Sequence, residues 1–183
     1  MQIKTLSKGK ILIARPTLYD EIFNRSVILL TDHNEEGSVG FILNKPMDYS
    51  VTVFVSELES EAVVYGGGPV ETENLYYLHN RPDLIANSEP ICNGLYWSGD
   101  YEDVRNAVNG GWIQENEIRF YLGYSGWAKD QLQLEVDENA WIIVNDRVDI
   151  FKNWGNNLWR QQLKKLGGEN LLWLNTPFDP GMN

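Results

Sequence analysis

Three places in this 183-residue chain carry residue types that could do chemistry. The first is Gly123-Tyr124-Ser125-Gly126-Trp127, one residue short of the nucleophile elbow G-x-S-x-G. Trp127 stands where the second glycine is required, and both histidines precede Ser125, whereas hydrolases with this elbow place theirs last. The stretch reads as a Gly-rich strand exit with Trp127 packed into the core. The second is Cys92, which could form a thiolate pair with His33 or His79, since such partners meet in space and not in sequence. Its apolar context, Pro90-Ile91-Cys92, reads instead as a small buried hydrophobe. The third is Gly66-Gly67-Gly68-Pro69. A phosphate cradle needs free backbone N–H groups and usually a following Lys-Ser/Thr or a helix. Pro69 removes one N–H and no lysine follows, so a turn allowing close backbone approach is the favoured reading.

Metal chemistry has no support in the spacing. Asp32 and His33 are adjacent, so on a strand they point to opposite faces and cannot grip one ion together. We assign no catalytic residue, no metal and no cofactor. What remains is binding. Arg25 suits an anion anchor, with His33, Asn44 or His79 as polar partners around one pocket. Ser26, Gly67 and Gly68 complete the candidate ligand-binding set. His33 and His79 each end an apparent strand and serve equally well as capping or sheet-edge groups.

The elements that must position these groups start from Phe23 to Pro46. Val27 to Leu30 is continuously apolar, as in a strand covered on both faces. Asn34-Glu35-Glu36-Gly37 then turns the chain into a second strand, with Gly37 at the positive-φ position. Strands are also expected at 10–15, 62–65, 74–79, 90–97, 117–124 and 141–144. A helical turn or two is expected over 17–24, and helices over 100–108 and 157–166. The type of 47–61 stays open, because its valines alternate as in a strand while 56–58 could end a helix. Over 130–136 strand alternation conflicts with good helix formers. Strands and helices intermix without a regular βαβ beat, which gives an α+β class with a mixed, mainly antiparallel sheet. One domain over 1–176 and an extended C-terminal arm over 177–183 are expected.

Composition narrows the function. The net charge of −11 repels phosphate backbones, so direct nucleic-acid contact is disfavoured. No apolar run is long enough to span a membrane, and the start lacks a signal-peptide core, which points to the cytoplasm. A lone cysteine fits a reducing compartment.

The chain resembles the YqgE/AlgH family of bacterial proteins. The matching pieces run nearly end to end: Gly9 to Pro16, Phe23-x-Arg25-Ser26-Val27, His33-Asn34 with Glu36-Gly37, and Gly40-Phe41-Ile42-Leu43-Asn44-x-Pro46. Gly67-Gly68-Pro69-Val70, Leu78-His79, Gly123 to Trp127, Gln131-Leu132 and Glu138-Asn139-Ala140-Trp141 follow in order. The resemblance implies an α+β fold whose bifurcated sheet includes a small closed barrel, and it favours helix over 128–137. Members are often labelled transcriptional regulators, and no reaction or cofactor comes with the family. One departure stands out: small residues, often Gly-x-Gly, commonly precede the Gln-Leu, where this chain has Ala128-Lys129-Asp130.

The expected function is therefore regulation exerted indirectly, by binding an unidentified protein or small ligand. The alternative is an undescribed enzyme or small-ligand sensor with a pocket around Arg25, His33 and Asn44. A third possibility is assembly through the C-terminal arm; the sequence assigns no oligomeric state.

Overall fold

The computed structural model describes residues 5–153 and 157–175. The expected arm over 177–183 lies outside them. The strands are β1 (Ile11–Ala14), β2 (Val27–Asn34), β3 (Gly37–Ile42), β4 (Pro46–Ser50), β5 (Val63–Gly66), β6 (Val70–His79), β7 (Glu89–Cys92), β8 (Leu95–Trp97), β9 (Ile118–Ala128) and β10 (Trp141–Val144). The helices are α1 (Val51–Phe54), α2 (Tyr101–Asn109), α3 (Gln131–Asp137) and α4 (Leu158–Leu166), followed by a 3-10 helix over Gly168–Asn175. The α+β class and the mainly antiparallel sheet are as expected.

The sheet runs β10-β1-β2-β3-β9-β6-β8-β7, with β5 and then β4 branching from β9. Strand β9 is long enough to serve two neighbours along one edge. Its last residues pair with β3, from Gly37↔Ala128 to Gly40↔Ser125, and its first residues pair in parallel with β5, from Val64↔Phe120 to Gly66↔Leu122. The bifurcation implied by the family resemblance is therefore a fork on β9. The closed barrel is not supported: among the described residues β10, β7 and β4 each end a branch with a single strand neighbour, so the sheet stays open.

The organising hairpin forms as read, with β2 and β3 joined through Glu35-Glu36 and Gly37 at φ 149. Val27 to Leu30 is buried because alternate residues feed two different cores. Val27 and Leu29 join Phe41, Tyr121 and Trp159 under α4, while Ile28 and Leu30 join Trp127, Leu132 and Trp141 under α3. A third core, with Val104, Ile118 and Phe120, lies under α2.

Several local expectations are refined. The open segment 47–61 divides into β4 and the single turn α1. The stretch expected to form a helical turn over 17–24 holds one hydrogen-bonded turn, with Asp20 Oδ1 accepting the Ile22 and Phe23 amides at 2.8 Å each. The strand expected over 90–97 is a hairpin, β7–β8. Asn93 and Gly94, at φ 49 and 78, make a two-residue turn of the Asn-Gly kind that twists with its strands. The helix preferred over strand alternation at 128–137 is α3.

Candidate functional site

The chain entering β2 is held by the chain leaving β3. Asn44 is 7% exposed; its side chain accepts from the Val27 amide at 2.9 Å and donates to the Arg25 carbonyl at 2.9 Å. Lys45 Nζ donates to the Asn24 carbonyl at 3.0 Å. Ser26 is fully buried, and its hydroxyl donates to the Phe23 carbonyl at 2.8 Å. This clamp fixes Arg25 in the left-handed region, at φ 54, and places its guanidinium 5.2 Å from the centre of the Trp159 ring. Trp159 in turn donates to the Ala14 carbonyl at 2.8 Å, tying α4 to β1.

The electrostatics of this corner are unusual for so acidic a chain. Arg25 is held below the ordinary arginine value by partial burial and then by repulsion from Arg160. Lys45 is lowered by burial, partly opposed by Asp20. Two cations, Arg25 and Arg160, thus approach each other beside an indole, which suits a carboxylate, a phosphate or an acidic side chain of a partner. Gly67 and Gly68 lie across the neighbouring fork. The Gly67 carbonyl accepts from the Ile42 amide and from Ser125 Oγ, both at 3.0 Å, and a Cβ at Gly67 would lie 2.3 Å from the Gly123 carbonyl oxygen. These glycines allow strands to approach. Ser125 is buried in that contact, away from any surface a substrate could reach.

The two histidines lie elsewhere. His33 sits at the hairpin tip, six residues along β2 from Val27, which is about 20 Å at strand rise. The single pocket expected around Arg25, His33 and Asn44 therefore does not form. His33 Nδ1 meets Ser38 Oγ at 2.7 Å beside a cleft of about 620 Å³ that Lys129, Asp130 and Gln133 also line. Asp130 stands at φ 63, a backbone conformation that glycine adopts freely. The departure from the family's glycines thus leaves the turn geometry in place at some strain. His79 is fully buried. Its Nδ1 accepts from the Arg81 amide at 3.2 Å, and its Nε2 faces the Ser98 carbonyl at 3.3 Å and Ser88 Oγ at 3.1 Å. Burial pushes its pKa down, so the ring is a neutral bridge between loops. Cys92 lines a cavity of about 340 Å³ with Asn93, Arg147 and Ile150 but no histidine, and burial pushes its thiol up. Among the described residues, no group of three or more His, Cys, Asp or Glu side chains could hold a metal ion. Likewise, no described helix is long and apolar enough to cross a membrane.

The strand expected over 117–124 is the first part of β9, but Arg119 and Tyr121 on it were not among the expected site residues. Arg119 is 8% exposed, its Nη2 donates to the Lys152 carbonyl at 3.1 Å, and its guanidinium carbon lies 4.2 Å from the centre of the Tyr65 ring. Among the described residues, Arg119 Nη1 and the hydroxyl of Tyr121, both buried, have no hydrogen-bond partner. The available signal was a lone charge inside the apolar run Ile118-Arg119-Phe120-Tyr121-Leu122.

The comparisons agree on one family. Residues 11–171 match the AlgH-like family model. A UPF0301 protein of Chlorobium chlorochromatii is 39% identical over 184 residues, covering 100% of this chain and 98% of that protein. One of Bacteroides thetaiotaomicron is 40% identical over 180 residues, covering 97% of this chain and 91% of that one. The solution structure of the AlgH protein from Pseudomonas aeruginosa matches with TM-score 0.73 at 25% identity, covering 97% of this chain and 98% of that one. The crystal structure of protein DIP2367 from Corynebacterium diphtheriae shares the fold, with TM-score 0.74 at 20% identity over 96% of this chain and 95% of that one. With its motifs, sheet and fork accounted for, this chain belongs to the AlgH-like family.

Proposed function

We propose that this protein acts by binding and not by turnover, as an indirect regulator in the bacterial cytoplasm that engages an acidic small ligand or an acidic segment of a partner protein. The observation that carries this reading is the approach of Arg160 to Arg25, whose guanidinium lies beside Trp159, in a chain of net charge −11. The environments of Ser125 and His79, the nearest to a nucleophile and a base, support it too. Ser125 is buried in a backbone contact, and both nitrogens of His79 already have partners. The same negative charge supports action without DNA contact.

The test is affinity capture of metabolites and proteins from a bacterial lysate, comparing wild type with an Arg25→Gln/Arg160→Gln variant. A species retained by wild type, released by salt and lost from the variant is the expected result. Equal retention by both proteins sinks the Arg25 site. Tight, sequence-selective DNA binding in a gel shift at physiological salt sinks the indirect mechanism.

A further inference from the structure

We propose that Arg119 and Tyr121 form a second binding site, for a single oxyanion group, carboxylate or phosphate, on the face of the sheet that packs under α4. Neither residue belongs to the Arg25 corner.

A guanidinium stays protonated at any pH a protein experiences, so Arg119 carries its charge into the interior. Burying a charge without a counter-charge is strongly unfavourable, and buried arginines are normally paired with carboxylates. No carboxylate of the described residues forms an ion pair with Arg119, whereas Arg81, Arg105 and Lys165 each have at least one. One carbonyl and one aromatic face are what it has, and Nη1 is left without an acceptor.

The second orphan lies two residues along. Residues i and i+2 of a strand project to the same face, so Tyr121 shares the Arg119 side of β9. Its ring is 6.1 Å from that of Tyr65, the same ring over which Arg119 stacks. A buried tyrosine hydroxyl usually finds a partner, and this one, completely buried, has none among the described residues. The two side chains that carry unsatisfied donors therefore both pack against one tyrosine ring. An oxyanion accepts from both, supplies the missing counter-charge, and does so where low dielectric strengthens the contact. The cleft at His33 and the cavity at Cys92 contain no comparable unpartnered group.

The experiment is thermal unfolding and calorimetric titration of the full chain with sodium phosphate and with sodium succinate, at matched ionic strength in sodium chloride. Wild type should gain melting temperature with at least one of the two probes over chloride. Response to phosphate alone or succinate alone identifies the class of acid. Tyr121→Phe keeps the ring and should weaken binding about tenfold. Arg119→Met should abolish the response while leaving the unliganded protein at least as stable, because the unpaired charge is gone. Wild type that responds to neither probe, or Arg119→Met that responds as wild type does, overturns the proposal. Should Arg119→Met fail to fold, Tyr121→Phe decides alone: unchanged affinity sinks the site. Arg25 is intact in every arm, so these outcomes are independent of the lysate experiment.

Discussion

At the far end of β9, Trp127 donates its indole N–H to Glu135 Oε2 at 2.9 Å, and Trp141 donates to the same oxygen at 2.8 Å. Gln131 completes the group, accepting from the Ala128 amide and donating to Glu135 Oε1. At the near end of the same strand, Arg119 and Tyr121 are as deeply placed but incompletely paired. One cluster has a partner for each indole and both carboxylate oxygens; the other does not. Polar groups in the first lock α3 and β10 onto the sheet, which explains why the Gly126-Trp127, Gln131-Leu132 and Trp141 pieces of the family pattern belong together. Those in the second reach the Lys152 carbonyl and the Tyr65 ring but leave Arg119 Nη1 and the Tyr121 hydroxyl unpaired, and the proposed oxyanion would account for that difference.

The comparison breaks most directly at Glu135. Glu135→Ala strands two indole donors and should lower unfolding free energy by about 3 kcal/mol, measured in urea. A loss well under 1 kcal/mol there would mean the satisfied cluster is ornamental and the contrast with Arg119 empty. Asn44→Ala extends the test to the clamp at the hairpin base. It leaves the Val27 amide and the Arg25 carbonyl unpaired, and about 2 kcal/mol should be lost in the same assay. Strain offers the opposite sign. Asp130→Gly relieves a left-handed residue at the price of a looser unfolded chain, so a net gain of about 0.5 kcal/mol is expected. A loss would show that the Asp130 side chain itself contributes.

The smallest effect is on pH dependence. His79 pairs opposite Ile118, at the near end of β9 but on the other face from Arg119. Its folded pKa lies below the ordinary 6.5, first because of burial. The unfolded chain therefore takes up the proton first as pH falls. The stability linked to His79 is complete above 6.5 and drains away below it, toward the folded value. Denaturation followed from pH 7.5 to 5 should show a slope that His79→Gln flattens. An unchanged slope would mean the ring is already accessible to protons in the fold.

Much of this was legible in the chain itself. Unbroken apolar character at Val27 to Leu30, the Gly37 turn, the α2 and α4 stripes and the order of family motifs follow from side-chain type and period, which act over a few residues. So did the exclusions at Ser125 and Gly66 to Pro69, because missing groups are visible without a fold. The fork on β9 was not legible, since pairing β5 in parallel with residues 56 positions away depends on loop closure and shared burial. Nor could spacing show that Arg25 and Asn44 meet through backbone while His33 sits a hairpin's length away. Sequence decided which residues are charged, apolar or able to turn. Only the tertiary structure decided which charges lose water, because desolvation belongs to the assembled core, and that is what separates Arg119 from the exposed arginines of the same chain.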